Sequence, residues 1–165
     1  MDGMNENPIP HDGMAFMGVV TTRVLDHETG KVLQEEVVHN TVLKTGKAAF
    51  VRLLGQGLTE TKFTALAIGT DNTAPADTQT ALIAEISTGG GARGAATVSQ
   101  ETTTFTNDTL RFLKTWNFSS GFTINEVGIL NNATSGGIMA GRALIGPVTV
   151  SNGNDLQVQY DLIAL

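Results

Sequence analysis

The chain has 165 residues, of which 41% are hydrophobic, 16% charged and none cysteine, with a formal net charge of −6. That length gives one domain's worth of chain, able to bury roughly 70% of its unfolded surface without a staple. The lack of cysteine excludes disulfides, thiolate catalysis and cysteine-bound zinc. Ten dispersed basic residues against sixteen acidic ones argue against nucleic acid or an acidic membrane as a partner.

In chain order, residues 1–17 read as an extended arm. Pro8 and Pro10 forbid regular helix there. Met4, Ile9, Met14, Phe16 and Met17 punctuate the arm with apolar side chains, which suits contact with a neighbouring subunit. The acidic opening (Asp2, Glu6, Asp12) is unlike a signal peptide. No apolar run exceeds four residues, whereas a membrane-spanning helix needs about 20.

Residues 18–165 read as a single β-domain. Gly18 to Asp26 and Lys31 to Val38 form a hairpin around His27-Glu28-Thr29-Gly30. Thr45 to Leu54 is the one convincing helix, with Thr45 as its cap, Gly55 and Gly57 as its stop, and Phe50, Leu53, Leu54 and Leu58 on one face. Phe63 to Ile68 is a buried strand running into the turn Gly69-Thr70-Asp71-Asn72. Asp77 to Ile86 is short helix or irregular chain, and Thr88 to Ala95 is a mobile glycine-rich loop.

Val98 to Thr106 and Leu110 to Phe118 form a second hairpin around Asn107-Asp108. In its second strand Leu110, Phe112, Trp116 and Phe118 face the core, while Leu113 and Lys114 break the alternation. Phe122 to Leu130 and Ile138 to Ile145 are further strands, and Pro147 marks an edge or a strand start. In the last strand Leu156, Val158, Tyr160 and Leu162 face inward, with Gln157, Gln159 and Asp161 outward. About eight short strands without βαβ alternation or internal repeat predict an antiparallel, jelly-roll-like β-sandwich with one short helix.

The residues offer little chemistry. His11, His27 and His39 lack metal-ligand spacing. Asp71, Asn72 and Asp77 lie close in sequence but lack the spacing of a calcium loop, and such residues cap turns more often than they bind cations. Thr88 to Ala95 lacks the Lys-Ser/Thr that ends a phosphate-binding loop, and Lys44-Thr45-Gly46-Lys47-Ala48 has Ala where that motif needs Ser or Thr. Glu35, Glu36, Glu85, Glu101 and Glu126 could pair as glycosidase acids, but with 5% aromatics in the chain a sugar cleft has little to stack with. Glu126, inside an apolar strand with Ile124, Val127 and Ile129, needs a buried partner. Arg142 on a following strand is the natural one, for a structural ion pair rather than catalysis. No cofactor, metal or small-molecule substrate is expected.

Two blocks carry a resemblance. The first is Ala67-Ile68-Gly69-Thr70 followed by Asp77-Thr78, Leu82 and Glu85. The second is Asn125-Glu126-Val127-Gly128-Ile129 followed by Gly136-Gly137 and Arg142. With Asn40 and Thr45-Gly46 ahead of them and an alternating strand behind, they cover about three quarters of the chain. In this order they resemble a domain common among virion structural proteins of tailed bacteriophages, in tails, necks, fibres and head decorations. The resemblance implies a non-enzymatic β-sandwich with no shared catalytic residues, made in the host cytoplasm and built into the virion. Its partners would be other copies of itself and other virion proteins. Its place would be the neck or collar, the tail or a fibre attachment; the arm and first hairpin lie outside the family pattern and are expected to adapt the domain to that site. The alternatives are a capsid decoration protein and, behind it, a fibre-tip receptor- or carbohydrate-binding module. Trp116 and Tyr160 would have to be exposed for the last.

Overall fold

The computed structural model describes residues 15–55 and 60–165. It contains strands β1 (Phe16–Asp26), β2 (Val32–His39) and β3 (Thr41–Val42), then helix α1 (Lys44–Leu54). Next come β4 (Ala65–Gly69), β5 (Gly94–Ala95), β6 (Thr97–Glu101) and β7 (Thr109–Asn117). The chain closes with β8 (Phe122–Leu130), β9 (Met139–Val150) and β10 (Asn154–Ala164). Eight of these strands are five residues or longer, and β3 and β5 add two short ones.

The strands form two five-stranded antiparallel sheets, ordered β2-β1-β10-β7-β6 and β3-β9-β8-β4-β5. Alternation decides which side chains meet between them. Val20 and Val24 of β1, Phe112 and Trp116 of β7, and Val158 and Tyr160 of β10 pack against Leu66, Ile68, Ile124, Val127 and Ile129. Every residue of β4 is buried, because both faces of that strand are covered. Its inner face meets the first sheet. Its outer face joins Leu43, Ala65, Ala67, Leu82, Leu130 and Met139 in a second apolar cluster under the irregular segment 70–93.

Several boundaries differ from the sequence expectation. β1 begins at Phe16, so Phe16 and Met17 belong to the sheet rather than to the arm. They pair with Ala164 and Ile163, and the Phe16 ring packs tilted against Phe50, with centroids 4.9 Å apart. Thr45 does not cap α1. Leu43 holds the capping position without a side-chain bond, and the Thr45 hydroxyl donates to the Met139 carbonyl at 2.8 Å. β6 ends at Glu101 because the next turn is organised by Asp108, whose carboxylate accepts the N–H groups of Thr103, Thr104 and Phe105 at 2.6–2.9 Å.

Pro147 lies inside β9, within a register shift opposite Ile124 and Glu126, where a missing N–H costs no ladder bond. Leu110 is 45% exposed rather than core. Lys114 shares the inward side of β7 with Phe112 and Trp116 and places its ammonium 4.9 Å from the Trp116 ring.

The glycine-rich segment is tied down rather than loose. Trp116 Nε1 donates to the Ala92 carbonyl at 2.8 Å, and Ser119 N donates to the Gly89 carbonyl at 3.1 Å. Gly90, at φ +90°, passes so close to the Asn117 carbonyl that a Cβ has no room. At the far end of the sheet, the Leu165 amide donates to the Ala15 carbonyl at 2.9 Å.

Candidate interaction surface

Two features beyond the core stand out: a buried polar staple and an open apolar groove. The staple begins with strand geometry. β8 pairs Glu126 with Leu144 and Gly128 with Arg142, so Glu126 and Arg142 are diagonal neighbours on the outer face of their sheet. Arg142 Nε donates to Glu126 Oε2 at 2.7 Å, and neither side chain is exposed. Most of the remaining valences reach the segment above, and of the pair's side-chain atoms Arg142 Nη2 alone makes no hydrogen bond among the described residues. Glu126 accepts the backbone N–H groups of Ile83 and Ala84 at 3.1 and 2.8 Å. Arg142 Nη1 donates to the Thr73 carbonyl at 2.8 Å, and Nη2 faces Asp71 at 3.6 Å.

A carboxylate so surrounded is held by donors on every side, which is the condition for burying a charge. Asp71 itself accepts the Thr73 N–H at 2.7 Å, and that bond, with Arg142 nearby, holds its pKa below the usual carboxylate range. Asp77 pairs with Lys44 at 3.3 Å. The acidic residues considered for calcium are thus engaged with the protein's own donors. Among the described residues, no three His, Asp or Glu side chains cluster to hold a metal ion.

The groove lies where α1 meets the first sheet, with a volume of 870 Å³. Phe16, Phe50, Leu53, Leu54, Leu110 and Leu162 line it, with Lys47 and Asp77 as its charged members. A second recess of 270 Å³ shares Phe50, Leu53, Leu110 and Leu162 with it and runs inward toward Phe112 and Ile129. The groove exists because α1 docks by only part of its surface. Gly46 and Ala49 are buried, and Gly46 sits so close to β9 that a Cβ would lie 2.5 Å from the Ala140 Cα. Gly46 lies on the same face as Phe50 and Leu53, at i, i+4 and i+7, so β9 covers the start of that face and leaves its far end, with Leu53 and Leu54, over the groove. Leu54 remains 77% exposed and Val51 69%.

The family comparison draws on the same region. Residues 44–165 match the family model described as Podophage GP4 fiber I protein gp80. The chain belongs to this family. It is a fibre-type structural protein of a tailed-phage virion, produced in the host cell. No curated protein and no solved structure matches the chain.

The match with the podophage fibre I family begins at the first residue of α1, so it includes Glu126, Arg142 and the helix wall of the groove. It leaves out β1, β2 and β3. Yet β1 lies inside the first sheet, paired with β10 along all of its length.

Of the arm residues, Met4, Ile9 and Met14 lie outside the described residues, as do His11 and Leu58. Phe16 forms one wall of the groove, and Met17 stands in β1 opposite Ile163. His27 sits beside Asp155 at 3.1 Å and Asn117 at 2.9 Å, and His39 ends β2. Trp116 and Tyr160 are buried, at 2% and 0% exposure, which leaves neither ring free to stack on a sugar. Burial pushes the Tyr160 hydroxyl pKa up, and Asn40 donates a hydrogen bond to that hydroxyl.

The groove was the part the sequence pattern concealed. The sequence places Phe50, Leu53, Leu54 and Leu58 on one helix face without telling what that face meets. Periodicity tells which face is apolar but not how far along the helix the sheet reaches, and here Gly46 and Ala49 are covered while Leu53 and Leu54 are not.

Proposed function

We propose that this fibre-family protein is a non-enzymatic, oligomeric building block. It joins other virion proteins at a fibre attachment, the tail or the neck and collar, and its N-terminal arm makes the joint. The observation that carries this reading is the groove. Leu53, Leu54, Val51 and Leu110 form an exposed apolar surface, and Ala15, where the arm enters the described fold, is part of its lining. Large contiguous apolar surface on a soluble domain marks a contact made in the assembled state. The sandwich, pinned by its two apolar clusters and the Glu126–Arg142 staple, supplies the rigid body. The arm supplies reach.

The test is a copy count in purified particles by quantitative mass spectrometry, together with a chain lacking residues 1–14. A small multiple of the portal number and loss of incorporation on truncation support the reading. A count rivalling the major capsid protein would favour head decoration instead. Normal incorporation of the truncated chain would overturn the role of the arm.

A further inference from the structure

The described fold covers helix α1 along its first turns and leaves its last turn open. Gly46 and Ala49 are buried against β9, while Val51, Leu53 and Leu54 stand 69%, 41% and 77% exposed beside Leu110 at 45%. We propose that this groove is the receptor for residues 4–14 of a second copy of the chain, with Ile9 and Met14 as the anchoring side chains. The proposal rests on the arm-mediated assembly given above and names the surface that receives the arm.

Four observations select this occupant. The first is where the segment starts. Ala15 lines the groove, so in a two-fold pair formed about this end of the sandwich each arm emerges beside the other copy's groove.

The second is direction. The Ala15 carbonyl still accepts the Leu165 amide, and Phe16 is still in register with Ala164. The chain at Ala15 therefore heads out past the end of the sheet, and filling its own groove would need a reversal. In the sequence, Pro8 and Pro10 disfavour helix at the residues before them.

The third is length. An eleven-residue helix is about 16 Å long, which about five extended residues match at ~3.3 Å each. Ile9 lies six residues before Ala15, a reach of about 20 Å.

The fourth is charge. Residues 1–14 hold Asp2, Glu6 and Asp12 and no lysine or arginine. Lys47 in the groove makes no ion pair among the described residues, and Asp77 beside it is paired with Lys44.

The chain has no cysteine, so introduced thiols are unique. Full-length chains carrying either Ile9→Cys or Leu54→Cys are co-assembled and treated with a short bismaleimide crosslinker. The expected result is a crosslinked species containing one chain of each kind, absent when Leu54→Cys is paired with a chain lacking residues 1–14. A chain carrying both substitutions that crosslinks only within itself would overturn the proposal in favour of the arm filling its own groove. Absence of any crosslink, in a chain whose oligomer still depends on residues 1–14, would place the receptor elsewhere and leave arm-mediated assembly standing. An oligomer that persists at full strength without residues 1–14 would overturn that underlying reading as well.

Discussion

Arg142 Nε lies 2.7 Å from Glu126 Oε2 on the outer face of a sheet, with both side chains wholly buried by a segment that has no regular secondary structure. The pair is thus a fastening between a sheet and a loop. Arg142→Met leaves the Glu126 carboxylate buried without its cation, and the expected loss is about 3–5 kcal/mol. Glu126→Gln combined with Arg142→Met should cost clearly less than the sum of the two single changes. Urea denaturation of all four chains measures the coupling, and strict additivity would show that the two residues act independently.

Gly46→Ala puts two magnitudes in opposition. Inside a helix alanine is favoured over glycine by about 1 kcal/mol. Here the added Cβ meets the backbone of Ala140 at 2.5 Å, and overpacking of this kind costs about 1–3 kcal/mol. The expected outcome is a net loss of thermal stability, with α1 displaced from β9. A stabilised variant would mean that the helix shifts freely on its sheet.

Asp108 gives the fold an acid-sensitive turn. Burial alone would raise its pKa, but the N–H groups of Phe105, Thr103 and Thr104 and the Thr109 hydroxyl outweigh that, and hold it far below the usual carboxylate range. A depressed folded pKa means the ionised group stabilises the fold above its unfolded pKa of about 3.9. That contribution is lost as pH falls below this value toward the folded pKa. Asp108→Asn should lower the melting temperature at pH 7 and flatten its decline between pH 4 and pH 2. An unchanged acid limb would assign the pH dependence to other carboxylates.

Where the arm is cut should decide what is lost. Removal of residues 1–14 is expected to leave the melting temperature nearly unchanged and to reduce assembly. Removal of residues 1–17 also takes Phe16 from its contact with Phe50 and Met17 from its pairing with Ile163. A half-buried phenylalanine is worth about 2 kcal/mol, roughly half the cost of losing a fully buried one. Calorimetry on the two truncations separates the effects, and equal melting temperatures would show that the start of β1 contributes nothing.

Leu54→Asp addresses the groove without touching the fold. At 77% exposure the side chain should change stability by less than about 0.5 kcal/mol. Sedimentation of the purified variant is expected to show at least a tenfold weaker oligomer. Undiminished association would remove Leu54 from the interface.

Most long strands were legible because period-two patterning is strong where one face is core, as in Leu156, Val158, Tyr160 and Leu162. Strands of two residues carry no period, so β3 and β5 were invisible. Thr45 looked like a cap because caps are chosen by residue type, whereas here a carbonyl from β9 took its hydroxyl. Leu110 read as core because its phase on β7 is that of Phe112, and phase does not tell where the opposite sheet ends. A glutamate among aliphatic residues pointed to a buried charge. The partners from Asp71, Thr73, Ile83 and Ala84 are contributed by irregular chain, which has no period to read.

The hydrogen bond between Leu165 and Ala15 has a practical consequence. Both ends of the described chain leave the sandwich through one doorway, beside the groove, while the turns at Gly30 and Gly153 occupy the opposite pole. A fluorophore or epitope joined to Leu165 would stand at the entrance and compete with the arm proposed to dock there. Labels meant to leave assembly undisturbed belong at the Gly30 or Gly153 turn.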